Sequence, residues 1–209
     1  MVAAPLHIAP GILLWRERLN RTAQETLLND VMARVGEAPF YCPRMPGNGK
    51  PFSVEETNFG PLGWVSDKKG YRYQAQHPVT GQSWPDIPAS LTKLWDEIAD
   101  AAYPGSGGPQ CCLVNLYRAG ARMSLHQDKD EDALSAPVVS VSLGDDAVFR
   151  IGGVQKGGPT KSVRLASGDV LMFGGPARLV HHGIDRILPG TSTLIADGGR
   201  TNLTLRRVR

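Results

Sequence analysis

CCLVNLYRAGARMSLHQDKD, residues 111–130, begins the half of the chain in which short apolar runs alternate with glycine turns. Side chains of alternating polarity and β-branched residues are typical of strands, and no helical periodicity separates these runs. Predicted strands cover 111–117, 122–126, 137–143, 147–151, 161–165, 170–173, 179–184, 192–196 and 202–208. About eight closely spaced strands without intervening helices indicate a sandwich or jelly roll.

Two residues in this stretch, His126 and Asp128, have the spacing of metal ligands. Side chains two positions apart on an extended segment point the same way, so the imidazole and the carboxylate converge. His182 supplies a second imidazole from a later strand. Two histidines and one carboxylate on one side of a metal leave the other side open, as in non-haem Fe(II) oxygenases. The pattern therefore predicts an iron- and 2-oxoglutarate-dependent oxygenase.

The His-x-Asp spacing alone leaves an alternative open. In a chain with 5 His and 13 Asp, the spacing arises by chance in roughly a third of sequences. The run from Asp128 to Asp132 also has the composition of a solvated acidic loop.

The last predicted strand carries polar side chains at every second position. Arg200, Asn202 and Arg206 share one face, and leucines occupy the other. Arginines that point into a small β domain are costly unless they meet anions. Beside a metal, two guanidinium groups indicate a small dicarboxylate, with each carboxylate held through paired hydrogen bonds. The alternative is a frayed basic tail at the end of the chain.

The first part of the chain is predicted to hold helices and loops. Met1 to Asn20 has the character of an extended lead-in, and a capping box at Thr22–Glu25 predicts a helix that ends at Gly36. A buried apolar stripe predicts a second helix over Leu91–Ala102. Residues 39–88 are rich in proline, glycine and aromatic residues, which favours hairpins that carry recognition rather than a layer of core.

Length and composition indicate one domain over 1–209, with the helices and recognition segment in 1–109 and the β core in 110–209. A chain of 209 residues suits one substantial core, and a net charge of +3 permits an anionic partner without requiring one. Three cysteines, two of them adjacent, disfavour a disulfide framework and favour a reducing compartment. With no long apolar run at the N-terminus, we expect a cytoplasmic monomer that does not contact a membrane.

Taken together, these segments resemble the bacterial branch of the AlkB family, the Fe(II)/2-oxoglutarate dioxygenases that reverse alkylation damage in nucleic acids. The resemblance covers nearly the whole chain. It rests on CLVNLY (112–117), SLHQDKD (124–130), VVSVSL (138–143), Gly168-Asp169 with Gly174-Gly175, RLVHHG (178–183) and RTNLTLR (200–206). In the first half, Thr57-Asn58, LGW (62–64), Gly70-Tyr71 and Trp84-Pro85 are similar to the family's nucleotide-recognition lid.

The resemblance implies a mainly β (α+β) fold, a double-stranded β-helix or jelly roll with N-terminal helices and a nucleotide-recognition lid. It assigns the Fe(II) ligands to His126, Asp128 and His182, with His181 pointing away. It assigns the 2-oxoglutarate contacts to Asn115, Tyr117, Arg200, Asn202 and Arg206, with Arg200 on the distal carboxylate and Arg206 on the carboxylate beside the keto group. The substrate-binding residues that it implies are Trp64, Tyr71, Asp130 and Lys156, with the base stacked between Trp64 and His126.

The implied reaction is oxidative demethylation of bases such as 1-methyladenine and 3-methylcytosine. The expected partner is alkylated DNA, preferably single-stranded, with RNA as a further substrate. The chain departs from the family pattern at residues 48–53, which include Lys50 and Phe52, and at Glu56, where aromatic or methionine residues are expected. Phe173 also stands where tryptophan is common. These departures leave the substrate preference open.

Two other functions compete with this one. A related oxygenase of a protein, lipid or small molecule would keep the metal and keto-acid residues, but it should lack a stacking Trp64 and the lid cations Lys68, Lys69 and Arg72. A nucleic-acid-binding module with a structural metal would leave the two inward arginines without a partner.

Overall fold

The computed structural model describes residues 4–209 and contains thirteen strands in antiparallel pairs. In chain order they are β1 (Leu6–Ala9), β2 (Ile12–Trp15), β3 (Glu55–Phe59), β4 (Gly63–Asp67), β5 (Gly70–Gln74), β6 (Cys111–Tyr117), β7 (Met123–His126), β8 (Val138–Gly144), β9 (Asp146–Ile151), β10 (Lys161–Leu165), β11 (Val170–Phe173), β12 (His182–Leu188) and β13 (Arg200–Arg206). Seven strands form a major sheet in the order β1-β2-β11-β8-β13-β6-β3, and four form a minor sheet in the order β10-β9-β12-β7. Strands β4 and β5 form a separate hairpin.

The two sheets pack face to face, as the predicted jelly roll requires. Apolar side chains from β2, β8 and β11 of the major sheet meet those of β9, β10 and β12 of the minor sheet. The cluster includes Leu14, Val138, Leu171, Phe149, Ile151, Leu165 and Ile187. Tyr117 of β6 belongs to this cluster, so the apolar core adjoins the polar inner faces of β6 and β13.

The helices cover the outer face of the major sheet. Helix α1 spans Arg21–Val35, and helix α2 spans Ala89–Trp95 and continues as a π-helical segment over Asp96–Asp100. Apolar side chains of both helices pack on β6, β8 and β13, in a cluster that contains Leu27, Val31, Leu94, Trp95, Val114, Val141, Leu203 and Leu205. Burial of these leucines on the outer face directs the arginines of β13 to the inner face.

The N-terminus of α1 differs from the prediction. The cap is Asn20, whose side-chain oxygen accepts a hydrogen bond from the Ala23 N–H at 2.9 Å. The predicted capping box at Thr22 is therefore wrong by two residues, because asparagine caps helices well and precedes it. Gly36 ends the helix as predicted.

Most strand predictions agree with the structure, and β6 and β11 match their predicted bounds. Residues 192–196 form a loop instead of a strand, since the Ser192 N–H donates to the buried carboxylate of Asp145 rather than to a neighbouring strand. The lead-in contains extended chain, as predicted, but its strands β1 and β2 also pair and extend the edge of the major sheet, which was not predicted. Its residues 1–3 lie outside the described residues. Strand β3 likewise joins that sheet and contributes Phe59 to the core.

The mainly β jelly-roll fold predicted from the sequence is confirmed. The cysteines Cys42, Cys111 and Cys112 are free thiols. Within residues 4–209, the helices lack the combination of length and apolar character needed to cross a membrane.

Candidate active site

The two histidines of the predicted triad meet across the minor sheet. His126 ends β7 and His182 begins β12, and the two residues are paired in the antiparallel register. Asp128 follows in the loop after β7, with Oδ1 3.6 Å from His126 Nε2 and Oδ2 3.9 Å from His182 Nε2. One ligand atom from each of the three residues lies within 4.8 Å of the others, so the group could hold a metal ion.

Backbone carbonyls fix the orientation of both imidazole rings. His126 Nδ1 lies 2.8 Å from the Ser124 carbonyl oxygen, and His182 Nδ1 lies 3.0 Å from the Val180 carbonyl oxygen. Because a carbonyl only accepts hydrogen bonds, each Nδ1 carries the hydrogen and each Nε2 presents its lone pair to the other ligands. Burial lowers the pKa of His182 to about 4, against the opposite effect of Asp128, so this ring is neutral at physiological pH.

The carboxylate of Asp128 is held in its ionised form. Burial alone would raise the pKa of Asp128, but the charge of Arg206 and the adjacent histidines lower it to about 2. Arg206 Nη2 lies 2.9 Å from Asp128 Oδ2, although this oxygen has no partner of good hydrogen-bond geometry among residues 4–209. A buried carboxylate oxygen and two imidazole lone pairs form a donor set that fits Fe(II).

Arg200 lies fully buried at the base of the same cavity. Its Nη2 donates to Ser142 Oγ at 2.6 Å, and its Nε has no partner in the described part of the chain. Burial lowers the pKa of this guanidinium to about 10, so it stays charged at neutral pH. Within residues 4–209 there is no carboxylate close enough to pair with Arg200. A buried, unpaired cation favours an anionic ligand at this position.

The remaining residues expected to contact 2-oxoglutarate surround Arg200 and Arg206. The β6–β13 register pairs Tyr117 with Arg200 and Asn115 with Asn202, which places all four side chains on the inner face. The Asn202 amide is engaged within the sheet, through Ser140 Oγ at 2.8 Å and the Val141 carbonyl at 3.0 Å. It therefore shapes the wall of the cavity.

One cavity of about 790 Å³ brings together the predicted metal, keto-acid and substrate residues. Its lining contains the triad His126, Asp128 and His182, the keto-acid group Asn115, Tyr117, Arg200, Asn202 and Arg206, and the substrate group Trp64, Tyr71, Asp130 and Lys156. His181 also reaches its edge, where its Nδ1 lies 3.0 Å from the Gly153 carbonyl oxygen.

The β4–β5 hairpin carries two of the substrate residues over this cavity. The rings of Trp64 and Tyr71 are stacked, with centroids 5.4 Å apart and planes at 19°. Trp64 Nε1 donates to Asp130 Oδ2 at 2.8 Å, which ties the hairpin to the loop of the metal-binding triad. Asn58 of β3 accepts from the Trp64 N–H and donates to its carbonyl, both at 3.0 Å, and so fixes the backbone beneath the indole.

The lid cations have different surroundings. Arg72 makes paired hydrogen bonds to Asp67 at 3.0 and 2.9 Å, so its charge is already compensated. Lys68 and Lys69 are exposed at the tip of the hairpin. Sequence reasoning missed Arg122 and Lys129, which line the cavity together with Lys156 and add positive charge at its mouth.

Arg178 and Glu131 form a buried pair that supports the backbone of Asp128, and sequence reasoning also missed this pair. Arg178 donates to the Asp128 carbonyl at 2.5 Å and to Glu131 at 3.0 Å. Glu131 in turn accepts from the hydroxyl of Tyr73 on β5. The signal that could have identified Arg178 is its position directly before the apolar pair at 179–180. Charged residues are seldom buried without a partner.

The fold and this site define a 2OG-Fe(II) oxygenase, and the 2OG-Fe(II) oxygenase superfamily matches residues 7–206. The Alpha-ketoglutarate-dependent dioxygenase AlkB homolog of Caulobacter vibrioides (strain NA1000 / CB15N) is 54% identical over 100% of this chain and 93% of its own. The Alpha-ketoglutarate-dependent dioxygenase AlkB of Escherichia coli (strain K12) is 42% identical over 96% of this chain and 91% of its own. The solved structure of OsALKBH1 has a TM-score of 0.83 at 32% identity and covers 97% of this chain and 99% of that chain.

The chain therefore belongs to the AlkB family, and it is a dioxygenase that depends on Fe(II) and 2-oxoglutarate.

Proposed function

We propose that the enzyme removes methyl groups oxidatively from alkylated bases in nucleic acid, with bases of the 1-methyladenine and 3-methylcytosine type in DNA as substrates. The observation that carries this proposal is the single cavity shared by the metal-binding triad, two buried arginines and the stacked aromatic pair of the lid. An oxygenase of small molecules has no need for such a pair, whereas a nucleic-acid base stacks readily on aromatic rings.

We assign the Fe(II) ligands to Nε2 of His126, Nε2 of His182 and the carboxylate of Asp128. The carbonyls of Ser124 and Val180 hold the two rings in the tautomer that a metal requires. Phe173 and Phe149 pack against the His182 ring, at centroid distances of 4.6 and 5.8 Å, and shield this side of the site from water.

We assign the two carboxylates of 2-oxoglutarate to Arg200 and Arg206. Arg200 is charged, buried and unpaired among residues 4–209, as expected of a group that binds the distal carboxylate of 2-oxoglutarate. Arg206 lies beside the triad, where it meets the carboxylate next to the keto group. Asn115 and Tyr117 complete the wall between them.

Bound Fe(II), 2-oxoglutarate and O₂ supply the oxidising power, so that one oxygen atom enters a methyl C–H bond of the substrate and the keto acid becomes succinate and CO₂. A hydroxymethyl group on a ring nitrogen then leaves as formaldehyde and restores the base. The side chains of the cavity hold the co-substrate at its two ends and keep water away from the triad.

The lid is proposed to bind the extruded base. The methyl group lies on the pairing edge, so the base must leave a duplex before it reaches the triad. A single strand avoids this cost, which is why we expect single-stranded DNA to be preferred and RNA to be accepted. Trp64 offers the stacking face, Asp130 fixes its indole, and Tyr71 and Lys156 contact the flanking strand.

One chain supplies all the metal, keto-acid and substrate residues of the cavity, and the three thiols are free. We therefore propose that the enzyme acts as a monomer in the cytoplasm, a reducing compartment.

The decisive experiment incubates the protein with oligonucleotides that contain one methylated base, with and without Fe(II) and 2-oxoglutarate, followed by mass spectrometry of the bases and assay of succinate. We expect the methyl group to be lost only when both are present. The matched control is Asp128→Ala, which should lose Mn(II) binding measured by electron paramagnetic resonance while its circular dichroism spectrum is retained. Succinate formation that methylated oligonucleotides do not stimulate would instead favour a protein or small-molecule substrate.

A further inference from the structure

Glu56 is an acidic residue inside the cavity. It belongs neither to the metal-binding triad nor to the residues assigned to 2-oxoglutarate. It lies on the inner face of β3, directly opposite Asn115 in the β3–β6 register, and is 1% exposed. Asn58, two residues further along the same face, holds the backbone of Trp64. Glu56 therefore lies between the keto-acid wall and the anchor of the lid.

The carboxyl group of Glu56 has no partner among the described residues. Neither of its oxygens accepts or donates a hydrogen bond within residues 4–209, and Asn115 Oδ1 beside it is also unpartnered. Buried polar groups are almost always hydrogen-bonded, and leaving one without a partner costs free energy. Since the side chain faces the cavity, a bound ligand is the natural source of the missing partner.

The protonation state of Glu56 determines which partner it prefers. Burial raises the pKa of this carboxyl to about 8, against the lowering effect of Arg206. At neutral pH the group therefore keeps its proton and can donate a hydrogen bond. Asp128 differs, because its pKa is lowered and its carboxylate accepts only.

The backbone of Glu56 is set apart from the strand that carries Arg200 and Arg206. Arg200, Asn202 and Arg206 lie on β13, and β6 separates that strand from β3. Neighbouring strands are about 4.8 Å apart, so Glu56 is about 10 Å from β13 across the sheet, on the side where the lid closes the cavity. Because Asn58 on the same face of β3 anchors Trp64 of the lid, the geometry favours the base over 2-oxoglutarate as the ligand that reaches Glu56.

Resting on the proposed function, we propose that Glu56 is a specificity residue that donates a hydrogen bond to the exocyclic oxygen at C4 of a methylated pyrimidine or at C6 of a methylated purine. Methylated thymine and guanine carry such an oxygen, whereas 1-methyladenine and 3-methylcytosine carry an amino group there. The carboxylates nearest the lid are already acceptors, with Asp130 bonded to Trp64 and Glu131 to Arg178. Glu56 thereby favours oxo bases over bases that carry an amino group at this position.

The test compares oligonucleotides of one sequence that contain either 3-methylthymine or 3-methylcytosine. These pyrimidines carry the methyl group on the same ring nitrogen and differ at position 4, where one has an oxygen and the other an amino group. Glu56→Met removes the donor, and we expect it to lower the ratio of kcat/KM for 3-methylthymine over 3-methylcytosine by at least about tenfold. Glu56→Gln retains an N–H donor and should keep the ratio within about threefold of the wild type. Glu55→Gln, an exposed neighbour on the same strand, is the matched control.

A substrate with sulfur in place of the thymine O4 gives a second readout, which needs no amino-acid substitution. Sulfur is a weak acceptor, so the wild type should be much less active on the sulfur base than on 3-methylthymine. Glu56→Met should be no less active on the sulfur base than on 3-methylthymine. An unchanged ratio in Glu56→Met, or a wild type that demethylates 3-methylcytosine but not 3-methylthymine, overturns the inference. A raised KM for 2-oxoglutarate with equal loss on both bases also overturns it, by assigning Glu56 to the keto acid. Failure on both bases in the wild type contradicts the proposed function itself.

Discussion

Arg200 shows how a single residue connects folding to ligand binding. Its guanidinium is buried and charged without a carboxylate partner among the described residues, so 2-oxoglutarate supplies the compensating charge. We expect Arg200→Met to raise the KM for 2-oxoglutarate about tenfold or more, because a charge-assisted contact of roughly 1.5–3 kcal/mol is lost. Arg206 is less suitable for substitution in this test, since it also pairs with Asp128 and approaches Glu131.

The measurement is succinate formation against 2-oxoglutarate concentration, with Arg186→Met as the matched control on an exposed arginine of β12. An unchanged KM in Arg200→Met would remove this residue from the keto-acid site.

The raised pKa of Glu56 predicts how the free energy of unfolding depends on pH. Its pKa is raised from 4.5 to about 8 by burial, so the folded state binds a proton that the unfolded state releases between these values. This group therefore lowers the free energy of unfolding as pH rises from about 4.5 to 8, by at most about 1.4 kcal/mol per pH unit, and has no further effect above that window.

Glu56→Gln removes this dependence, so we expect it to gain stability relative to the wild type from pH 5 to pH 8. Urea unfolding of both proteins at several pH values measures the difference, and contributions of His182 and other groups cancel in it. A difference that stays constant with pH would mean that Glu56 is ionised in the folded protein.

The β4–β5 hairpin is the element that should determine binding of nucleic acid. Trp64 presents its ring to the cavity while Asn58 and Asp130 fix its backbone and indole. Stacking is worth roughly 1–3 kcal/mol per base, so Trp64→Ala should weaken binding of methylated single-stranded DNA by about tenfold to a hundredfold. Substrate-independent turnover of 2-oxoglutarate should persist, because the triad is untouched.

Fluorescence anisotropy at several salt concentrations tests this expectation. Replacing Lys68 and Lys69 with alanine provides the contrast, because exposed cations act on phosphates: affinity should fall for every sequence, and its salt dependence should become shallower. If Trp64→Ala binds as tightly as the wild type, the base stacks elsewhere.

Elements with one buried face were predictable from the sequence, and others were not. Period-two polarity placed Arg200, Asn202 and Arg206 on the inner face of β13, because the leucines between them must pack on the helices. The lead-in strands β1 and β2 carry no such alternation, and β2 joins the sheet by pairing with β11, a contact distant in sequence. The engagement of Arg72 by Asp67 and of Trp64 by Asp130 likewise depends on side-chain geometry that spacing does not encode.

The whole molecule is proposed to fold as one domain, as its length predicts. The helices of residues 1–109 share an apolar cluster with β6, β8 and β13, and β1, β2 and β3 from the same segment complete the major sheet. Residues 110–209 alone would expose this cluster and lose both edges of that sheet. Neither segment therefore has a complete core without the other.

Two optical signals that weight the two segments differently can be compared during unfolding. All four tryptophans, Trp15, Trp64, Trp84 and Trp95, lie in residues 1–109, so their fluorescence follows that segment. Far-UV circular dichroism follows the backbone of both segments, the helices of residues 1–109 together with the strands, of which β6 to β13 belong to residues 110–209. We expect both signals to change at one urea midpoint, because a cooperative domain unfolds as a unit. Trp64→Phe is the control that removes any signal from local opening of the lid, and separate midpoints in this variant would show that the two segments fold independently.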